Sequence, residues 1–236
     1  MKYWQLHCTD HVDGTSKGYF PYNYKYHSSE VENFFNRDFE PSDFFLGNLP
    51  DFDVRLDGLI LDKNVRVTDF IGIDSLLRGV CISDRVKKIL EEYNLPNHRF
   101  YPVTFHQPSK VEKKIELIAG YWLLHFELEF GENVDFEKSE FVNDLFLLYA
   151  KDSSQIIRVN SLEEYKAVRL STKKGLVATK LVLKSSFDTS LDVWATRSLT
   201  VGGSYFSSRL IKRLKKEKIT GFEVFEPKTK LVFEYT

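Results

Sequence analysis

Side chains that can bind a metal ion lie close together near the start of the chain: His7, Cys8, Asp10 and His11. A His-x3-His pair binds one metal ion well on a helix, where residues i and i+4 share a face. Here the first histidine falls in a predicted strand and the second near a predicted turn. Along a strand their side chains would stand about 13 Å apart. We therefore expect ordinary surface and strand-end positions, with no metal site and no cofactor.

A second pattern could bind phosphate. Gly202, Gly203 and Ser204 precede a predicted helix that carries the basic residues Arg209, Lys212, Arg213, Lys215, Lys216 and Lys218. A glycine-rich entry to a helix can hold phosphate on backbone N–H groups, but neither the Walker pattern nor Gly-x-Gly-x-x-Gly is present. A turn into a helix with a solvated basic face explains the residues better. A nucleic-acid- or nucleotide-binding module that uses residues 207–218 remains an alternative.

Aromatic and basic residues also alternate between Lys17 and Tyr26, where Tyr19, Tyr22, Tyr24 and Tyr26 lie near lysines. Such a pattern can stack on single-stranded bases. The adjoining segment is acidic and would repel phosphate, so we expect a half-buried strand that presents tyrosines to a protein partner.

We predict no catalytic residue. No serine sits in Gly-x-Ser-x-Gly, and neither cysteine has a local catalytic signature. Two carboxylate pairs could do acid–base chemistry, but spacing alone does not raise them above surface groups; they are Asp188 with Asp192 and Asp51 with Asp53. An enzyme of unknown type that uses His7 and His11 remains a second alternative.

The composition limits the class of protein. Apolar residues make up 42% of the 236 residues, enough for a sizeable core, and phenylalanine occurs 20 times against one methionine. A net charge of -1 gives no global attraction to nucleic acid or to an anionic membrane. Cys8 and Cys81 form no disulfide framework, and we find neither a signal peptide nor a membrane-spanning run. We expect a cytoplasmic protein and leave its oligomeric state open.

One local pattern occurs twice and indicates the organisation. Residues 82–90 and 206–214 each predict a helix, and each helix leads to an aromatic strand that ends at Pro102 or Pro227. We interpret Ser83 and the serines at 207–208 as helix caps. The copies stay nearly in register, so we predict two related helix–strand subdomains, residues 1–118 and 119–236, or one continuous domain with the same two units.

The remaining patterns predict short elements. Apolar and alternating runs predict strands at 3–8, 22–26, 99–105, 121–128 and 176–183, and Ser161 to Glu164 has the form of a capping box. We expect a short helix or turn over 69–77 and a closing hairpin from strands at 222–225 and 230–235. The fold class is α+β, with mixed, mostly antiparallel sheets and a few short helices.

The segment from Glu30 to Asp62 differs from the rest of the chain. It holds nine aspartates and glutamates against two arginines, together with six phenylalanines. Acidic and aromatic side chains together suit a protein-binding surface. The candidate interface residues, here and on the preceding tyrosine segment, are Tyr24, Tyr26, Phe44, Phe45, Asp51, Asp53 and Asp57.

The order of several motifs resembles the bacterial Immunity protein 11 family. The motifs are residues 1–4 (Met-Lys-Tyr-Trp), 81–90, 100–103, 121–126, 134–140, 191–194, 206–210 and 219–223. The resemblance implies an antidote, not an enzyme. Such a protein binds a cognate toxin domain stoichiometrically in the cytoplasm of the producing cell and occludes it. The segment from Phe34 to Phe52 is outside the resembling motifs.

Overall fold

The computed structural model of the chain describes residues 2–8, 56–61, 66–72, 80–109, 114–129, 131–143, 156–172, 175–196, 199–200 and 204–234. The helices are α1 (Asp84–Leu90), α2 (Leu162–Ser171) and α3 (Ser208–Lys216). The strands are β1 (Tyr3–Cys8), β2 (Leu56–Ile60), β3 (Phe70–Gly72), β4 (Val80–Ser83), β5 (His98–Pro108), β6 (Ile115–Phe126), β7 (Glu140–Val142), β8 (Val177–Leu183), β9 (Val193–Trp194), β10 (Tyr205–Ser207), β11 (Phe222–Phe225) and β12 (Lys230–Phe233). The predicted α+β class with mostly antiparallel sheets is confirmed.

The chain forms two compact units, and each unit combines separate segments. Unit A contains residues 1–6, 128–209 and 224–236, and unit B contains residues 7–127 and 210–223. The boundary that we predicted between residues 118 and 119 falls inside β6. β5 pairs with β6 on both sides of that point, from His98 opposite Phe126 to Pro108 opposite Ile115, so the sheet continues across it.

Unit B is built on a five-stranded sheet with the order β2-β5-β6-β4-β3. β4 and β5 each pair antiparallel with β6, which lies between them. α1 joins β4 to β5, and its apolar spacing buries Val86, Ile89 and Leu90, as the sequence predicts. Ser83 caps this helix, because its hydroxyl accepts a hydrogen bond from the Val86 N–H at 3.4 Å.

Unit A contains a sheet with the order β11-β1-β10-β9 and a three-stranded sheet with the order β12-β8-β7. An aromatic core fills this unit. Trp194 stacks on Tyr205 with ring centroids 4.4 Å apart, and Tyr3 meets the edge of Trp194 at 5.7 Å. α2 begins at the predicted capping box, where the Ser161 hydroxyl accepts from the Glu164 N–H at 3.1 Å.

Three local expectations were wrong. Residues 70–72, placed in a short helix or turn, form β3, which pairs antiparallel with β4. β11 and β12 are strands but not a hairpin, because β12 pairs in parallel with β8 in a different sheet. The strand expected to end at Pro102 does not end there, because β5 continues to Pro108.

Among the described helices, none has both the length and the apolar character to cross a membrane.

Candidate functional site

The predicted partner-binding residues fall almost entirely outside the described part of the chain. Those outside it are Tyr24, Tyr26, Phe44, Phe45, Asp51 and Asp53. Asp57 lies in β2, whose backbone pairs in parallel with β5. The predicted protein-binding surface therefore stays a prediction.

The amino-terminal metal pattern is partly described. His7 is exposed and Cys8 is partly buried, both at the end of β1, whereas Asp10 and His11 lie outside the described residues. In the described ranges no group of three or more histidine, cysteine, aspartate or glutamate side chains could hold a metal ion. Cys81 is completely buried, and burial raises the pKa of its thiol, which makes it a poor nucleophile.

In the basic helix α3, the arginines are paired with carboxylates and the lysines are exposed to solvent. Arg209 forms an ion pair with Asp192, and Arg213 contacts Glu92 at 3.5 Å and Glu217 at 3.3 Å. The lysines are exposed; they are Lys212, Lys215 and Lys216 in α3 and Lys218 just after it. Arginine, the better phosphate-binding residue, is thus already paired with carboxylates in this helix.

A cluster of polar side chains joins the ends of three segments in unit B. Asp69 lies just before β3, and its carboxylate accepts from the Ser83 hydroxyl at 2.9 Å. It also accepts from the N–H and the hydroxyl of Thr220, both at 2.9 Å. Tyr121, opposite Ser83 in the sheet, donates its hydroxyl to the Thr68 carbonyl at 2.7 Å. The cluster fastens the start of β3 and the end of β4 to the segment after α3.

A second polar cluster has the same form in unit A. Asp192 lies just before β9, is completely buried, and accepts from the Ser207 hydroxyl at 2.5 Å. Arg209 donates to both oxygens of this carboxylate, at 2.6 and 2.5 Å. Tyr3, opposite Ser207 in the sheet, donates its hydroxyl to the Leu191 carbonyl at 2.8 Å. The ion pair with Arg209 and the hydrogen bond from Ser207 offset part of the cost of burying this charge.

The two clusters match position by position. In each, a serine that ends a strand donates to the aspartate that precedes the neighbouring strand, and the serine N–H donates to the backbone carbonyl of that aspartate. In each, the tyrosine opposite the serine bonds to the carbonyl before the aspartate. The matched pairs are Asp69 with Asp192, Ser83 with Ser207 and Tyr121 with Tyr3.

The tryptophan that follows each tyrosine extends the match. Trp122 donates its Nε1 to Asp84 at 2.5 Å, and Trp4 donates its Nε1 to Ser208 at 3.0 Å. Asp84 is the first residue of α1, which follows β4, and Ser208 is the first residue of α3, which follows β10. A lysine ammonium lies over each indole ring, Lys87 at 3.8 Å and Lys2 at 4.1 Å from the centroid.

The hydrogen bonds of these two clusters have a structural role. The carboxylates accept hydrogen bonds from serine, threonine and arginine groups that hold strand ends. Burial, followed by the charges of Asp69 and Cys81, raises the pKa of Tyr121 to about 12. Burial, followed by Asp192 and Asp188, raises the pKa of Tyr3 further. Both phenols therefore stay protonated near neutral pH, as hydrogen-bond donors.

The repeated pattern predicted from the sequence covers the two helices and the strands that follow them, and it does not include the Tyr-Trp strands or the aspartates. The signal was present in the strands, since Tyr3-Trp4-Gln5-Leu6-His7-Cys8 and Tyr121-Trp122-Leu123-Leu124-His125-Phe126 share Tyr-Trp-x-Leu-His. With the two Tyr-Trp strands and the two aspartates included, the repeated pattern extends over β3, β4, α1, β5 and β6 in one copy and over β9, β10, α3, β11 and β1 in the other.

No family model matches the chain, and no curated protein does.

Proposed function

We propose that this chain is a cytoplasmic immunity protein that binds a cognate bacterial toxin domain and occludes it stoichiometrically. The proposal starts from the ordered motifs that resemble the Immunity protein 11 family. The structural observation that supports the proposal is that the polar side chains of the two clusters bond to one another and to the backbone. In both clusters, hydroxyls and carboxylates hold strand ends together, which suits a rigid binding scaffold.

The difference between the two halves supports a specific binding segment. The connection from β6 to β8, residues 127–176, carries ten acidic and seven basic residues and contains β7 and α2. In the other half, the stretch from Glu30 to Asp62, which includes β2, carries nine acidic and two basic residues. Both stretches follow a Tyr-Trp strand, and the excess of acidic over basic residues is seven from Glu30 to Asp62 and three in residues 127–176. We assign toxin capture to the stretch with the larger excess of negative charge, from Glu30 to Asp62.

The expected mechanism is electrostatic capture followed by aromatic packing. A toxin that acts on nucleic acid has a basic substrate groove, and carboxylates at Asp51, Asp53 and Asp57 would occupy it in place of phosphates. Phe44 and Phe45 would supply the apolar anchors, since a few buried aromatic side chains dominate the binding energy of most protein complexes.

The test is a charge reversal with a matched control. The triple variant Asp51→Lys, Asp53→Lys and Asp57→Lys is compared with Glu132→Lys, Glu137→Lys and Glu163→Lys, which changes net charge equally at exposed residues of the other half. The probe is the carboxyl-terminal toxin domain encoded by the neighbouring reading frame, and association is measured by stopped flow at several salt concentrations. We expect the first variant to associate at least about tenfold more slowly, with a weaker salt dependence, and the control to behave as the parent.

Equal association rates for both variants would remove residues 51–57 from the interface. If the parent protein does not bind that toxin domain at all, the immunity proposal itself is wrong.

A further inference from the structure

In each unit, the strand that contains the Tyr-Trp pair lies in the interior of a sheet. In unit A, β1 lies between β11 and β10, and in unit B, β6 lies between β5 and β4. The registers also agree: Tyr3 opposes Ser207 and Trp4 opposes Phe206, as Tyr121 opposes Ser83 and Trp122 opposes Ile82. The strand orders β11-β1-β10-β9 and β5-β6-β4-β3 are therefore equivalent.

Each of these interior strands comes from one half of the sequence and pairs with strands of the other half. β1 belongs to the first half of the sequence, yet it pairs with β10 of the second half. β6 begins near the predicted boundary at 118 and belongs for most of its length to the second half, yet it pairs with β4 and β5 of the first half. Each sheet is completed by the Tyr-Trp strand of the other half.

We propose that the place between β10 and β11 is a strand-binding slot that also accepts β1 of a second copy of this chain, so that two copies can form a strand-exchanged dimer. The topology of the chain defines the occupant: within a single chain, both slots already hold a strand that comes from the other half. An exchange between two copies would repeat that arrangement between molecules, with the same residues in the same register.

The slot recognises β1 through its backbone and through two ring side chains. The Ser208 N–H donates to the Lys2 carbonyl at 3.0 Å, and the Leu6 N–H donates to the Ser204 carbonyl at 3.3 Å. Tyr3 and Trp4 add their hydrogen bonds to the Leu191 carbonyl and the Ser208 hydroxyl. Backbone pairing gives affinity, and pockets for alternate side chains give specificity, as in other cases of strand addition.

A strand exchange between two copies keeps these contacts. Its free-energy cost is therefore mainly the cost of bringing two chains together. In the unfolded chain, residues 9–55 tether β1 to β2 and give it an effective concentration on the order of 1 mM near its own slot. A second copy competes only when the protein concentration approaches that value during folding. The dimer is therefore expected after refolding at high concentration and not after dilution of folded monomer.

The experiment places one cysteine in each of two full-length copies. Lys2, just before β1, accepts hydrogen bonds from the N–H and the hydroxyl of Ser208, just after β10. Lys2→Cys in one copy and Ser208→Cys in the other can therefore form a disulfide between chains only if β1 enters the slot of the other copy. The two variants are unfolded together under reducing conditions, refolded at increasing protein concentration and then oxidised. The 2–208 disulfide is identified by peptide mass. We expect its yield to rise at least about tenfold across the concentration series.

Two controls make the outcome decisive. The double variant Lys2→Cys with Ser208→Cys in a single chain shows that the geometry permits the bond. A mixture of Lys2→Cys with Lys88→Cys, which places the second cysteine at an exposed position of α1, gives the background. A 2–208 yield no higher than this background overturns the proposal. Where the double variant does not close, light scattering of the refolded parent decides instead: a dimer supports exchange, and monomer at every concentration overturns it.

Discussion

At the scale of single residues, the aspartate before each edge strand determines how a strand end and a helix start are joined. Asp192 is completely buried, and its two oxygens accept from Ser207 and Arg209. Asp69 is partly exposed, and its partners are Ser83 and Thr220. The same function is therefore performed by a charged pair where the carboxylate is buried and by neutral donors where water still reaches it.

Tyr121 gives this scale a pH-dependent prediction. Its folded-state pKa of about 12 exceeds the ordinary value of 10.0, because burial and then the charges of Asp69 and Cys81 disfavour the phenolate. A raised folded pKa means that the stabilising contribution is complete below pH 10.0 and is lost as the pH rises to about 12. We expect Tyr121→Phe to lose about 1 kcal/mol at neutral pH with its hydrogen bond to the Thr68 carbonyl.

The same variant should also have a flatter alkaline limb. Over this pH interval its free energy of unfolding should fall about 1.4 kcal/mol per pH unit less steeply than that of the parent. Urea unfolding at a series of alkaline pH values measures both effects. An unchanged slope would show that Tyr121 does not keep its proton in the folded state.

At the scale of elements, the link from α3 to β11 depends on a close backbone approach. Gly221 has a φ of +85°, and a Cβ at this position would lie 2.3 Å from the Phe70 carbonyl oxygen and 2.4 Å from the Thr68 hydroxyl. The preceding Thr220 carbonyl accepts from the Phe70 N–H at 3.1 Å, so the two segments cannot separate without losing this bond. Glycine is the residue that permits both the conformation and the contact.

We therefore predict that Gly221→Ala destabilises the protein by about 3 kcal/mol or more, through backbone strain and the clash together. Gly175 is the matched control, because its φ is +80° and a Cβ there would meet nothing within 4 Å. Gly175→Ala should cost about 1 kcal/mol, from the left-handed backbone alone. Equal losses in the free energy of unfolding for the two variants would contradict the role of the close contact.

Elements set by neighbouring residues were predicted from the sequence, and elements set by distant pairing were not. α1 follows from apolar spacing and the cap at Ser83, and α2 follows from the capping box at Ser161; both caps act within one turn. β3 was missed because residues 70–72 become a strand through their pairing with β4. The candidate interface was chosen from charge and aromatic content, and it lies outside the described residues except for Asp57 in β2.

At the scale of the whole molecule, the two units do not coincide with the two halves of the sequence. Residues 1–6 belong to unit A and residues 119–127 to unit B, because each Tyr-Trp strand pairs with strands of the other half, and residues 210–223 also belong to unit B. The repeated motifs follow the order of the sequence, whereas the two units follow the packing of the chain. A chain with this topology has long-range strand pairing at its centre, so β1 and β10 must meet across nearly the whole sequence before the first sheet of unit A is complete.

This topology predicts that cutting the chain between the halves will not separate them. A protease site inserted between Ser109 and Lys114 lies between β5 and β6, where the Ser109 N–H donates to the Lys114 carbonyl at 2.8 Å. After cleavage, β1 on the first fragment still pairs with β10 on the second, and β6 on the second fragment still pairs with β4 and β5 on the first. We expect the two fragments to elute together in native size-exclusion chromatography and to separate in urea. The uncut insertion variant controls for damage by the insertion, and native separation of the fragments at low micromolar concentration would contradict the exchanged pairing, since two central strands bind each fragment to the other.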